Sequence, residues 1–231
     1  MTSTLNERRA DQDQRTIVIA RAINILALLA LIGVLAGSLR LQFAVGEQPC
    51  PLCLIQRSGM IGLAVGPAMN LLWGMQARHY ALSILAAMVG GAGSIRQILL
   101  HIADPADPGY GPAILGYHLY TWAFITFAIG VAGCAILLLW QRQFEVGDTG
   151  VMGQRSALRA VAFGAIIWVF VDLVIMTIAV IPECGLGMCP DDPSNIGGIG
   201  DTWGLLLTVV IGAGSFVVGV VLDRRLKGTD A

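Results

Sequence analysis

Charged side chains are scarce in this sequence. Asp, Glu, Lys and Arg make up 13% of its 231 residues against 56% apolar residues, and the mean hydropathy is +0.75. That balance excludes an ordinary water-soluble domain, in which about a quarter of residues are charged. The formal net charge of −1 leaves no basic excess for nucleic acid, so any information carried by charge lies in its distribution. No phosphate-cradling glycine loop, serine-histidine-acid arrangement or internal repeat is present, which removes common nucleotide and hydrolase chemistries.

Long apolar runs are abundant. Crossing about 30 Å of hydrocarbon takes about 20 helical residues, and six runs qualify: Ala22 to Leu39, Leu54 to Trp73, Tyr80 to Ile102, Leu119 to Trp140, Ala160 to Ile181 and Trp203 to Leu222. They are continuously apolar rather than alternating, and spanning backbone must satisfy its own hydrogen bonds. The expectation is therefore an all-α, polytopic membrane helical bundle. A cleaved signal peptide is the alternative for the first run, but its apolar core exceeds the usual length.

Assigning the flanks alternately to two sides puts Arg8, Arg9, Arg15, Arg21, Arg78, Arg142, Arg155, Arg159, Arg224, Arg225 and Lys227 on one of them. The positive-inside rule makes that side cytoplasmic, with both termini inside. Cys50, Cys53, Cys184 and Cys189 then lie at the outer face, where thiols are oxidised. Cys134 falls inside a span and reads as a small packing residue.

The stretch Pro49-Cys50-Pro51-Leu52-Cys53-Leu54-Ile55-Gln56-Arg57 joins the first outer loop to the second span. Cys-x-x-Cys spacing permits a small redox-active ring, and Pro51 suits the first turn of a helix. A helix starting there sets Cys53 near its positive end, which favours thiolate. Arg57, four residues on, projects from the same face and can stabilise a thiolate or a developing oxyanion. Arg96, Gln97 and His101 cluster near the outer end of the third span at a similar depth.

These residues resemble the disulfide bond formation protein B (DsbB) family, whose Cys-x-x-Cys followed by Arg matches Cys50, Cys53 and Arg57 over about the first 140 residues. The resemblance implies a thiol:quinone oxidoreductase of the bacterial inner membrane, with its redox cysteines on the periplasmic side. It would reoxidise a periplasmic thioredoxin-fold partner of the DsbA type and pass electrons to ubiquinone or menaquinone, without a metal. Cys50 and Cys53 would reduce the quinone, and Arg57, with Gln56 and Arg96, would hold it. Vitamin K epoxide reductase-like proteins run related chemistry, but their redox pair comes late in the bundle.

The family keeps a second cysteine pair between its third and fourth spans, whereas Ala103 to His118 here has none. Cys184 and Cys189 stand after the fifth span instead and are expected to be catalytic, relaying electrons from the partner to Cys50 and Cys53. A staple is the competing reading, although so short a ring stabilises by only roughly 2 kcal/mol. The expected organisation is a four-span redox module at 1–140, a cytoplasmic linker at 141–159 and an added two-span hairpin at 160–231. Two further alternatives are a non-catalytic membrane transporter or assembly protein with structural disulfides, and a four-cysteine zinc site. Asp172, in the middle of the fifth span, is costly there and must be protonated, face a wet cavity or find a polar partner.

Overall fold

The computed structural model describes residues 2–46, 48–103, 113–153, 158–185, 187 and 197–229. Its helices are α1 (Thr2–Val45), α2 (Pro51–Trp73), α3 (Ala77–Ala103), α4 (Leu119–Leu139), two single turns, α5 (Arg142–Glu145) and α6 (Gly150–Gly153), then α7 (Arg159–Cys184) and α8 (Asp201–Thr229). All six long helices are apolar and long enough to cross a membrane, and each contains one of the six runs to within a residue. Among the described residues there is no strand, only an isolated bridge between Ile114 and Tyr117. The chain is an all-α, multi-pass membrane protein.

No proline interrupts the first 48 residues, so the arginine-bearing approach to the first span continues the same helix. α1 is 44 residues long, roughly 66 Å at the usual rise. α2 packs on α3, and α3 on α4, while α1 lies along α2; α7 and α8 pack on each other and on α1. Small residues allow the tight approach. A Cβ on Gly59 would lie 2.7 Å from the Gly90 Cα, and one on Gly90 would strike the Phe127 ring. Gly90→Ala is therefore expected to overpack the seam between α2, α3 and α4 at a cost of about 1–3 kcal/mol, read as a lower unfolding midpoint in detergent.

At the end opposite Cys50, polar side chains buried in the bundle satisfy one another, as they must where water is excluded. Asn24 donates to the Tyr80 hydroxyl at 2.8 Å, that hydroxyl donates to Gln143 Oε1 at 3.1 Å, and the Asn70 amide donates to Asn24 at 3.3 Å. Asn70 Oδ1 also meets the His79 ring nitrogen at 2.8 Å and accepts from the Gln76 amide at 3.0 Å. The stretch expected as a linker takes part in this closure. Its Asp148 forms a buried ion pair with Arg21, and Gln143 and Val151 of its short turns are buried. Residues 154–157 of that stretch lie outside the described residues. Arg159 and Asp223, paired at 2.5 Å, fasten α7 to α8 at the same end.

Candidate functional site

At the other end of the bundle, α2 begins as its sequence dictates. Cys50 is the N-cap residue, with Pro51 in the first helical turn. The Cys50 sulfur accepts from the Cys53 amide at 3.2 Å, in the place an N-cap oxygen usually takes. Cys50 and Cys53 form a disulfide with Cα atoms 5.0 Å apart. Cys50 is buried, whereas Cys53 is partly exposed. Both sulfurs sit at the positive end of α2, where the leading amides lack intrahelical backbone acceptors and a thiolate is favoured over a thiol.

Two glutamines brace the pair. Gln97 of α3 reaches Cys50 Sγ at 3.4 Å and Cys53 Sγ at 3.9 Å. Its Oε1 accepts from Gln56 at 2.7 Å. Each amide is thereby fixed in orientation, with Gln97 offering N–H groups to the sulfurs. A weak donor near sulfur stabilises developing negative charge there.

One turn below Cys53, Arg57 turns towards α1. Its Nε donates to Ser38 Oγ at 2.7 Å, one terminal nitrogen to Gln42 Oε1 at 2.5 Å and the other to the Ser38 carbonyl at 3.3 Å. Gln42 in turn donates to Gln48 at 3.1 Å. Ser38 and Gln42 are one turn apart on α1, so they present one polar patch to the guanidinium.

Between α1, α2 and α4 these groups border a cavity of about 480 Å³, and Gln56, Tyr120 and Ala123 line it as well as Cys53, Arg57 and Gln97. Its glycine wall is open: a Cβ on Gly33 or Gly37 would meet nothing within 4 Å. An apolar slot with a few convergent polar groups suits a flat, lipid-soluble ring with polar edges, such as a quinone. Gly37→Ala would project a methyl group into that slot without a clash. It is expected to raise the KM for a short-chain quinone severalfold while leaving thermal stability unchanged, in paired kinetic and melting measurements.

Not all candidate residues meet here. Arg96 lies on an exposed face of α3 with Ile95, Leu99 and Leu100, turned from the cavity that Gln97 borders. Successive helical residues differ by about 100°, so Arg96 and Gln97 cannot both face α2. Gly90, Ser94 and Gln97 recur at helical spacing and are buried, a stripe of small and polar residues that marks the face turned to α2. Ser38 and Gln42 are additions that sequence reasoning passed over. Their signal was a pair of polar residues spaced by four across the outer end of the first apolar run.

Cys184 closes α7 at this end of the bundle and is disulfide-bonded; Cys189 lies outside the described residues. The start of α8 is stitched to the end of α1. The Ile199 amide donates to Phe43 O at 2.8 Å, the Gly200 amide to Ala44 O at 3.1 Å, and Arg40 pairs with Asp201 at 2.9 Å. Nearby, Tyr117 is exposed but Tyr120 is buried. Tyr120 stacks on His118 with centroids 5.2 Å apart, and His101 meets His118 edge-on at 4.9 Å. Cys134 is a free, buried thiol. Among the described residues no group of three or more His, Cys, Asp or Glu is placed to hold a metal.

Comparison with known proteins agrees with this architecture. The family described as disulfide bond formation protein DsbB matches residues 20–108. Disulfide bond formation protein B of Pseudomonas syringae pv. tomato is 37% identical over 159 residues, covering 52% of this chain and 94% of that protein. Its counterpart in Burkholderia pseudomallei is 30% identical over 162 residues, covering 55% of this chain and 95% of the relative. That of Aromatoleum aromaticum is 33% identical over 84 residues, or 35% of this chain and 51% of the relative. No solved structure matches. A redox pair at the head of α2, an arginine one turn on and relatives aligned over nearly their whole length place this chain in the disulfide bond formation protein B family.

Proposed function

We propose that this disulfide-forming membrane oxidoreductase takes electrons from a dithiol protein of thioredoxin fold on the periplasmic side of a bacterial inner membrane and delivers them to a membrane quinone. The observation that carries this reading is the Cys50–Cys53 disulfide at the rim of a lipid-depth cavity that Arg57 also borders. The charge asymmetry of the flanks supports the orientation, with the cysteine end outside.

The residues divide the work. Cys53, the more exposed of the pair, is the electron donor facing the cavity, and Cys50 closes the ring by forming the disulfide. Gln97 and the α2 amides lower the cost of thiolate at both sulfurs. Arg57, held by Ser38 and Gln42, presents positive charge where acceptor oxygens gain electron density. Ubiquinone or menaquinone would supply a two-electron, two-proton acceptor held by Arg57, Gln56 and the apolar wall.

Cys184 and Cys189 are proposed as the entry pair. The partner's dithiol would reduce their disulfide, and they would reduce Cys50–Cys53 by thiol-disulfide exchange, each step breaking one S–S bond and making another. Support comes from the stitching of Ile199, Gly200 and Asp201 to the Phe43, Ala44 and Arg40 stretch that leads into Cys50. In this reading the 1–140 span set is the redox module and the 160–231 hairpin carries the entry pair.

In proteoliposomes given a reduced thioredoxin-fold protein and a short-chain quinone, quinol should accumulate catalytically. Replacing Cys184 and Cys189 together by Ala is expected to stop turnover with the protein dithiol while sparing turnover with dithiothreitol, which reaches Cys53 directly. Equal rates with both reductants would remove the relay; no quinol with either reductant in the unaltered protein would remove the function.

A further inference from the structure

A second cavity lies on the far side of α1. Asp172, near the middle of α7, is 1% exposed, and its Oδ2 has no hydrogen-bond partner among the described residues. Trp168 stands one turn earlier on the same helix. Both residues line a cavity of about 280 Å³ walled by Leu39 and Phe43 of α1, Ile175 of α7, and Leu207 and Thr208 of α8. Arg40 sits at the cysteine end of this cavity, already paired with Asp201 at 2.9 Å.

A buried carboxyl oxygen without a partner is costly, and more so inside a membrane. The nearby hydroxyl does not relieve it, because Thr208 donates its proton to Gly204 O at 2.9 Å. Asp172 stands twelve residues from the Cys184 end of α7, roughly 18 Å along the helix, which is the depth of the bilayer centre. Lipid headgroups and aqueous cations do not reside there. A partner that fits there is soluble in hydrocarbon, small enough for a ring-sized cavity and able to hydrogen-bond a carboxyl.

We propose that this cavity binds a membrane-soluble para-hydroquinone, with one ring hydroxyl donating to Asp172 and the ring packed against Trp168. The proposal rests on the quinone reading of the Cys53 cavity, since that chemistry releases hydroquinone into the same membrane. A quinone carries only carbonyl acceptors, whereas each O–H of its reduced form both donates and accepts, so only the reduced form pairs with the carboxyl in either protonation state. The cavity is a retention site for product on the α7–α8 hairpin, separated by α1 from the cavity where the product forms.

Trp168 lines this cavity and Trp122 lines the one beside Cys53, so one labelling scheme reports on both. The whole chain would carry 5-fluorotryptophan in lipid nanodiscs and be followed by ¹⁹F NMR during titration with decylubiquinone, decylubiquinol or the 1,4-dimethyl ether of decylubiquinol. Decylubiquinone should move the Trp122 resonance. Decylubiquinol should move Trp168, and the ether, which has the ring but no donor, should do so with about tenfold weaker affinity, the worth of one hydrogen bond. Asp172→Leu should weaken the Trp168 response to decylubiquinol by a similar factor and spare Trp122. Trp168 unmoved by decylubiquinol while Trp122 responds to decylubiquinone would overturn this proposal alone, as would equal affinity for decylubiquinol and ether. Trp122 unmoved by decylubiquinone would overturn the quinone reading itself. If Asp172→Leu does not fold, the comparison of decylubiquinol with its ether in the unaltered protein still decides.

Discussion

Cys53→Ser is expected to abolish quinol formation completely, with protein and small-molecule reductants alike. Serine keeps the size and the helix start but replaces a thiol that ionises near pH 8.5 with a hydroxyl that does not ionise in water's range. The positive end of α2 and the Gln97 amide can stabilise a sulfur anion; neither makes an alkoxide. Cys50→Ser should also stop turnover, because Cys53 then has no neighbour with which to form a disulfide. The measurement is quinone absorbance under steady reduction, with α-helical circular dichroism to show that both variants fold. Residual catalysis in Cys53→Ser above the rate of an empty membrane would place the electron donor elsewhere.

Arg57→Met should lower kcat with short-chain quinone by about 100-fold or more, in keeping with the loss of a preorganised charge-stabilising donor. The loss should fall mainly on kcat if Arg57 acts on developing charge, and on KM if it acts only in binding. Arg57→Lys restores the charge but not the fork that spans Ser38 and Gln42, so it should recover part of the rate. Ser38→Ala combined with Gln42→Ala leaves the guanidinium in place without its two side-chain acceptors on α1, keeping only the Ser38 carbonyl among the three bonds to that helix. An intermediate loss of rate in that variant would identify these two as positioning residues. Because Arg57 also ties α2 to α1, melting temperatures must accompany the kinetics. An Arg57→Met protein that is folded and fully active would confine the arginine to an anchoring role.

Much of the architecture was legible because membrane helices are read by length and polarity alone. Six runs of sufficient length became six helices, and Cys50-Pro51 marked the start of α2 because proline is harmless in a first turn. The face shared by Cys53 and Arg57 followed from helical spacing within a single element. What lay across from that face did not follow, since Ser38, Gln42 and Gln97 come from other helices. Arg96 shows the limit clearly. Depth along α3 was readable, but rotation about its axis depended on the Gly90, Ser94 and Gln97 stripe, which acquires meaning only once α2 packs there. The stretch after α4 looked like a solvated linker because it is polar, yet Asp148 is buried by its ion pair with Arg21, 127 residues away in sequence. Asp172 was recognisable as costly from sequence. That it borders a cavity with one oxygen unmet is visible only in three dimensions.

The central claim is that the Cys50–Cys53 dithiol itself hands an electron pair to a quinone in the membrane. Its most direct test is a single turnover without any partner protein. Protein in nanodiscs, with Cys184 and Cys189 replaced by Ala and Cys134 alkylated or replaced, is reduced, freed of reductant and mixed with one equivalent of decylubiquinone under argon. One quinol and one Cys50–Cys53 disulfide per chain, forming together, is the predicted result. Quinone left oxidised beside two persistent thiols at Cys50 and Cys53 would contradict it.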